Sequence, residues 1–194
     1  MKNSLPPSPR GFSLIEVLVV LAIVSLVAVA SMPSLTTLIL GSALNRAGQS
    51  VAGELSLARQ EAMTRNCEIE VRFYRIASLW TAVQIWRVTT GDNGDTFAPV
   101  RPPLFLPSGI IMSEPLSPLI ASDTAVNGQA TLPVRIAASY RGFRFRPTGS
   151  ASAPVTDANN YVTLQEAHAQ GSPPANYCTL QVSPLSGNVA IYRP

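Results

Sequence analysis

The chain has 194 residues, a length that suits one membrane segment and one globular domain of ordinary size. Apolar residues make up 46% of the chain and charged residues only 13%, about half the share found in a soluble domain. The net charge is +3, but Lys2 and Arg10 lie in the first eleven residues. The rest is nearly neutral and gives little field for attracting polyanions such as nucleic acids.

Residues 1–11 form a short, basic, proline-rich leader that ends in Gly11, and an apolar stretch follows it. A secretory signal has the opposite order, with its apolar stretch before the cleavage site. Residues 12–40 would extend about 43 Å as a helix, which exceeds the roughly 30 Å of a bilayer core. We therefore expect a single-pass membrane helix with a kink at Pro33. The basic leader should stay in the cytoplasm and the remainder of the chain should lie outside it.

A single carboxylate, that of Glu16, lies near the start of this apolar stretch. Residues 17–45 contain no ionisable side chain, and a carboxylate at bilayer depth costs about 3 kcal/mol. Position alone leaves two interpretations open. Glu16 is either a functional group inside the membrane or an ordinary polar residue at the level of the lipid headgroups.

From residue 42 to about residue 65 the sequence predicts an amphipathic helix. Two series with a seven-residue spacing form one apolar stripe along it: Leu44, Val51 and Ala58, and Gly48, Leu55 and Ala62. The stripe predicts that this helix continues the apolar one and packs on a sheet. A separate coiled-coil stalk is the alternative.

After Asn66 the apolar period changes to two, which predicts β-strands. In residues 67–73, apolar residues alternate with Glu68, Glu70 and Arg72, so this strand is predicted to be buried on one face only. Further strands are predicted at residues 79–88, 104–106, 110–112, 134–138, 142–145, 161–164, 177–182 and 188–192. Residues 91–95 predict a hairpin turn, because the alternating ligands and distal glutamate of a calcium loop are absent.

The predicted fold class is α+β, with a long N-terminal helix packed on a small antiparallel β-sheet. The proline-rich stretch of residues 99–133 is not typical of a compact core. No nucleophile elbow, metal-ligand spacing, phosphate loop or paired carboxylates occur, so no enzyme activity, metal or cofactor is predicted. His168, the one histidine, is predicted to lie in a solvated loop.

Residues 11–16 (GFSLIE), followed by a long apolar helix, resemble the processing signature of type IV pilins and type II secretion pseudopilins. The resemblance implies that a prepilin peptidase cuts after Gly11 and N-methylates Phe12. It also implies that Glu16 pairs with the Phe12 amine of a neighbouring subunit during filament assembly, which lowers the cost of both charges in lipid. Pro33 falls where the family commonly has a helix-breaking proline.

Three later segments resemble the minor pseudopilin-H and FimT group: residues 57–66 (LARQEAMTRN), 145–149 (FRPTG) and 186–189 (SGNV). The resemblance implies a pilin-like fold with a prepilin leader (1–11), a transmembrane and assembly helix (12–40), its amphipathic continuation (41–66) and a β-rich periplasmic domain (67–194). The implied partners are prepilin peptidase, the inner membrane and other pseudopilins or pilins in a periplasmic or surface filament. Asn188 departs from the group, which has a basic residue there.

An arginine-rich stretch supports an alternative function from another class, DNA binding by a minor pilin for uptake. On a strand, Arg144 and Arg146 would share one face, and Phe143 and Phe145 the other. A core-facing strand with a solvated outer face has the same pattern, and we prefer that interpretation. A membrane-anchored surface protein that never polymerises is a third. The candidate DNA contacts are Arg135, Arg141, Arg144 and Arg146.

The two cysteines, Cys67 and Cys178, would both lie outside the cytoplasm under the pseudopilin interpretation. Disulfides form in such compartments. A disulfide between them would tie the late strands to the end of the helix, and the sequence leaves this pairing open.

Overall fold

The computed structural model describes residues 11–92, 94–121, 126–133, 136–152, 155–156 and 158–194, and side chains within these ranges except at residues 30–38. The chain divides into two compact units, Met1–Ile39 and Leu40–Pro194. The candidate DNA contact Arg135 lies outside the described residues, as does Val134, where a strand was predicted to begin.

The first helix, α1, spans Leu14–Arg65 and belongs to both units. In the first unit, every large apolar side chain from residue 12 to residue 29 is exposed, by between 48% (Val17) and 83% (Leu14). Among the described residues, no helical stretch is both long and apolar enough to cross a membrane. The backbone remains helical through Pro33, and the kink there stays a prediction.

In the second unit, α1 packs on the sheet through the predicted apolar stripe. The two seven-residue series are buried along their whole length, from Leu44 to Ala62. The helix ends at Arg65, where the amphipathic pattern ends in the sequence. The prediction of a helix that packs on a sheet is therefore confirmed for this part of α1.

The described residues form one antiparallel sheet of ten strands. The strands are β1 (Ile69–Ile76), β2 (Leu79–Gly91), β3 (Gly94–Pro99), β4 (Leu104–Phe105), β5 (Ile110–Met112), β6 (Val126–Leu132), β7 (Ile136–Phe145), β8 (Tyr161–Glu166), β9 (Tyr177–Val182) and β10 (Val189–Tyr192). Their order in the sheet is β10-β9-β8-β5-β2-β1-β7-β6, with β3 and β4 also paired to β2. A four-residue helix, α2 (Pro118–Ala121), lies between β5 and β6.

Most predicted strands are present, and two of them, β5 and β9, have the predicted bounds. The predicted hairpin turn joins β2 to β3, which close on the Gly91–Gly94 pair, and His168 is exposed in a turn after β8. Strands β3 and β6 were not predicted. The strand predicted at residues 142–145 is the end of the longer β7.

The proline-rich stretch was wrongly excluded from the core. Leu106, Met112, Leu119 and Ile120 come from this stretch, and all four are buried in the same cluster as the helix stripe. Short apolar runs between prolines are enough for this purpose, because each run has only to place one or two side chains over the sheet.

The sheet is buried on both faces at β1. Its inner face, which α1 covers, carries Val71, and Phe143 and Phe145 of β7 are buried beside it as predicted. The outer face carries Glu70 and Arg72, which are only 2% and 6% exposed. The prediction that β1 is buried on one face only is therefore wrong. Partners from β2, β3 and β7 cover these charged side chains.

Candidate functional site

The N-terminal motif lies at the exposed start of α1. Gly11 and Phe12 precede the helix, and Phe12 is 81% exposed. Ser13 caps the helix: its hydroxyl accepts a hydrogen bond from the backbone N–H of Glu16 at 3.3 Å, and its carbonyl accepts one from Val17 at 3.2 Å. The peptide bond between Gly11 and Phe12 therefore lies in an exposed, non-helical segment just before the capped start of α1.

The backbone of Glu16 takes part in this cap, a local contact that the sequence analysis missed. Ser13 and Glu16 have the Ser-x-x-Glu spacing of a capping box, a signal that can be read from sequence. A carboxylate in the first turn of a helix is stabilised by the partial positive charge of that helix end. Glu16 is thus held at the helix start by local structure, whatever it meets in another subunit.

Helix α1 and strand β9 approach each other closely at Gly48. A Cβ atom added to Gly48 would lie 2.6 Å from Sγ of Cys178, which is too close for a real contact. Glycine is therefore needed at this position for the buried Cys178 to pack on the helix. Burial raises the pKa of the Cys178 thiol, which keeps it protonated and unreactive.

The disulfide that the sequence left open does not form in this structure, because the two cysteines lie at different points along α1. The backbone N–H of Cys67 bonds the carbonyl of Ala62 at 3.3 Å, whereas Cys178 packs on Gly48. The helix rises about 21 Å between Gly48 and Ala62, and a disulfide requires Cα atoms within about 7 Å. Both cysteines are free thiols.

Two glycine turns meet the end of α1 at Arg59. Gly149 and Gly187 have φ angles of +84° and +66°, which favour glycine. A Cβ on Gly149 would lie 3.3 Å from Nε of Arg59, and one on Gly187 would overlap the carbonyl oxygen of Gly149. The three segments that resemble the pseudopilin-H and FimT group therefore pack together at one place in the fold.

The three described candidates for DNA contact, Arg141, Arg144 and Arg146, do not form one surface. Arg144 pairs across the sheet with Glu70 on the outer face, whereas Arg141 pairs with Phe73 on the inner face. Arg146 follows the end of β7 and is exposed. Because side chains alternate along a strand, the odd spacing between Arg141 and Arg144 places them on opposite faces.

Arg144 is bound by three carboxylates. Its Nε donates to Glu70 at 2.9 Å, and one terminal nitrogen donates to Glu68 at 3.1 Å and to Asp95 at 2.8 Å. Burial opposes the charge of the guanidinium, but hydrogen bonds to Asp95, Glu70 and Glu68 outweigh it and raise the pKa of Arg144. The guanidinium of Arg144, in turn, lowers the pKa of Asp95.

Arg72 completes this outer-face cluster. Its Nε donates to Glu70 at 2.6 Å, and its guanidinium carbon lies 4.6, 4.6 and 4.4 Å from the ring centres of Trp86, Phe97 and Tyr140. Three carboxylates thus surround two guanidiniums in this cluster. Its net charge is negative, which disfavours contact with a polyanion.

Comparisons with known proteins identify the family to which the chain belongs. The prokaryotic N-terminal methylation motif matches residues 7–32, and the family of type II transport protein GspH matches residues 47–185. A solved minor pseudopilin, EpsH from the type 2 secretion system of Vibrio cholerae, is 14% identical, with 78% of this chain and 97% of that chain covered and a TM-score of 0.46. No curated protein matches the chain. Since the GspH match spans well over half of the sequence and follows a prepilin motif, the chain belongs to the type II transport protein GspH family, as the resemblance of its sequence predicted.

Proposed function

We propose that the chain is a structural subunit of a type II secretion pseudopilus and enters the filament through α1 after cleavage between Gly11 and Phe12. The observation that carries the proposal is the processing motif at an exposed, capped helix start. A peptidase needs an extended, accessible peptide, and residues 11–13 precede the helix and are exposed. Cleavage there creates the Phe12 amine, which the enzyme then methylates.

The exposed apolar side chains of residues 12–29 support membrane anchoring before assembly. Exposed apolar area costs about 25 cal/mol per Å² in water, so this segment requires a lipid or protein environment. The inner membrane provides the first, and the helices of neighbouring subunits provide the second. The basic leader is cytoplasmic and the domain periplasmic in this arrangement.

Glu16 acts when the subunit leaves the membrane and enters the filament. The carboxylate is costly alone in lipid, and pairing with the Phe12 amine of a neighbouring subunit offsets that cost. The cap at Ser13 holds the backbone at Glu16, so the carboxylate projects from an ordered turn. The action of the protein is therefore mechanical, through helix packing in the filament and contacts of its domain.

The intact mass of the protein from membranes, with and without co-expressed prepilin peptidase, tests the proposal. We expect loss of residues 1–11 and gain of one methyl group only when the peptidase is present. Gly11→Leu should block cleavage, whereas the control Gly53→Leu should not, because Gly53 is exposed with no atom within 4 Å of an added Cβ. An uncut N-terminus in both samples would refute the proposal.

A further inference from the structure

A polar groove of about 420 Å³ opens on the inner face of the sheet. Register places six of its lining side chains in two adjacent rows on one face. The first row crosses four strands and the second row lies beside it on β7 and β6. The first row is Trp80, Arg75, Ser139 and Gln129, and the second is Arg141 and Asn127.

One end of the groove already holds a carboxylate, that of Glu114. Arg141 donates to one oxygen of Glu114 at 3.2 Å and to the carbonyl of Ile120 at 2.6 Å. The indole N–H of Trp80 donates to the other oxygen of Glu114 at 3.1 Å. This end shows the arrangement that binds a carboxylate here: a guanidinium and a neighbouring N–H donor.

The other end has the donors but, among the described residues, no acid. Arg75 makes one long hydrogen bond, from Nε to the carbonyl of Ser78 at 3.4 Å, and within the described ranges no carboxylate pairs with it. Gln129 is exposed and Ser139 half-buried, and their side chains bond no other described residue. Guanidinium, amide and hydroxyl groups thus line one side of the groove without a shared acceptor.

We propose that the Arg75 end of the groove binds a carboxylate from an acidic peptide segment of a partner protein. Glu114 pairs with Arg141, whereas no described carboxylate pairs with Arg75, so the guanidinium of Arg75 is the group that takes one carboxylate. The fixed negative charge of Glu114 disfavours phosphate dianions and nucleic acid. Arg75 supplies the planar fork that fits a carboxylate, while Gln129 and Ser139 add donors beside it.

Trp80 lines the groove, which provides a direct probe of binding. Trp86 is the other of the chain's two tryptophans and lies over Arg72 on the opposite face. In the full-length Trp86→Phe variant, kept in detergent micelles, Trp80 is the sole tryptophan reporter. Its fluorescence would be followed during titration with end-blocked tetraglutamate. End-blocked tetraglutamine, inorganic phosphate and an eight-residue oligothymidine are the comparison compounds.

We expect tetraglutamate alone to give a saturable change, and Arg75→Gln to weaken it about tenfold, as for loss of one charge-assisted pair. Arg146→Gln removes the same charge outside the groove and should leave affinity within about twofold. Ser139→Asp, which places an acid beside Arg75 without removing it, should also weaken binding. The proposal is overturned if tetraglutamate gives no saturable change, if Arg146→Gln weakens binding as much as Arg75→Gln, or if phosphate or oligothymidine binds in place of tetraglutamate.

Discussion

Replacement of Gly48 by alanine tests whether the close contact between α1 and β9 limits the stability of the domain. The new Cβ would lie 2.6 Å from Sγ of Cys178 and 3.7 Å from its Cβ. Removing a glycine from a helix interior gains about 1 kcal/mol, whereas an overpacked core contact costs about 1–3 kcal/mol. We therefore expect Gly48→Ala to lower the free energy of unfolding by up to about 2 kcal/mol.

Gly48→Ala should raise the free energy of unfolding, instead of lowering it, when the sulfur atom of Cys178 is absent. In a Cys178→Ala background the nearest atom of residue 178 to the new Cβ is the Cβ at 3.7 Å, an ordinary contact. Only the gain in helix propensity remains, so Gly48→Ala should then raise the free energy of unfolding by about 1 kcal/mol. The control is Gly53→Ala, at an exposed helix position with no atom within 4 Å of the added Cβ. It should stabilise both backgrounds equally.

Thermal unfolding of the purified full-length chain, followed by tryptophan fluorescence, would measure these differences. Each kcal/mol should shift Tm by about 2–4 °C for a domain of this size. The informative quantity is the coupling between positions 48 and 178, which we expect to be about 1–3 kcal/mol. Equal effects of Gly48→Ala in the two backgrounds would refute the reasoning, because the contact with Sγ would then not set the cost.

Three further substitutions test other parts of the structure. Asp95→Asn should destabilise the domain near neutral pH, because Arg144 lowers the pKa of Asp95 in the folded state and so stabilises that state. The stabilisation is lost when Asp95 is protonated, so the difference from wild type in the free energy of unfolding should shrink as pH falls below about 3.9. A difference that does not change with pH would contradict this. Gly187→Ala should cost about 3 kcal/mol, since φ is +66° and the new Cβ would overlap the carbonyl of Gly149; a change in Tm under about 2 °C would show that the turn relaxes. Glu16→Ala should leave cleavage intact and abolish incorporation into filaments purified from cells; normal incorporation would favour the anchored surface protein that never polymerises.

The parts of the fold that sequence predicts well are those with a local period. The amphipathic half of α1 ends at Arg65 as predicted, and β5 and β9 have the predicted bounds. Strand β3 is exposed along its whole length, and β6 has only its two end residues buried. Strand β3 lacks the apolar alternation that marks a strand, and it forms because β2 offers a free edge, which local sequence does not reveal. Strand β6 does alternate, since Val126, Ala130 and Leu132 are separated by polar residues, and the sequence analysis missed this signal.

The outer-face charges show a second limit of sequence. Glu70 and Arg72 alternate with apolar residues, which is the pattern of a solvated face. They are buried because Arg144, which binds Glu70, comes from β7, distant in sequence but adjacent in the sheet. Charge alternation therefore predicts exposure only when no opposite charge lies across the strand pair, and strand order decides that.

The short segments that resemble the pseudopilin-H and FimT group have a structural explanation. Gly149 and Gly187 each adopt a left-handed conformation and lie in tight contact with Arg59, and a Cβ on Gly187 would overlap the carbonyl oxygen of Gly149. These residues are distant in sequence, so each segment alone is weak evidence, but together they fix the end of α1 to two turns of the domain. The signature is thus a packing requirement. By contrast, no packing contact among the described residues explains the guanidinium of Arg75 beside the donors of Gln129 and Ser139, whereas the proposed binding of a partner's carboxylate would explain it.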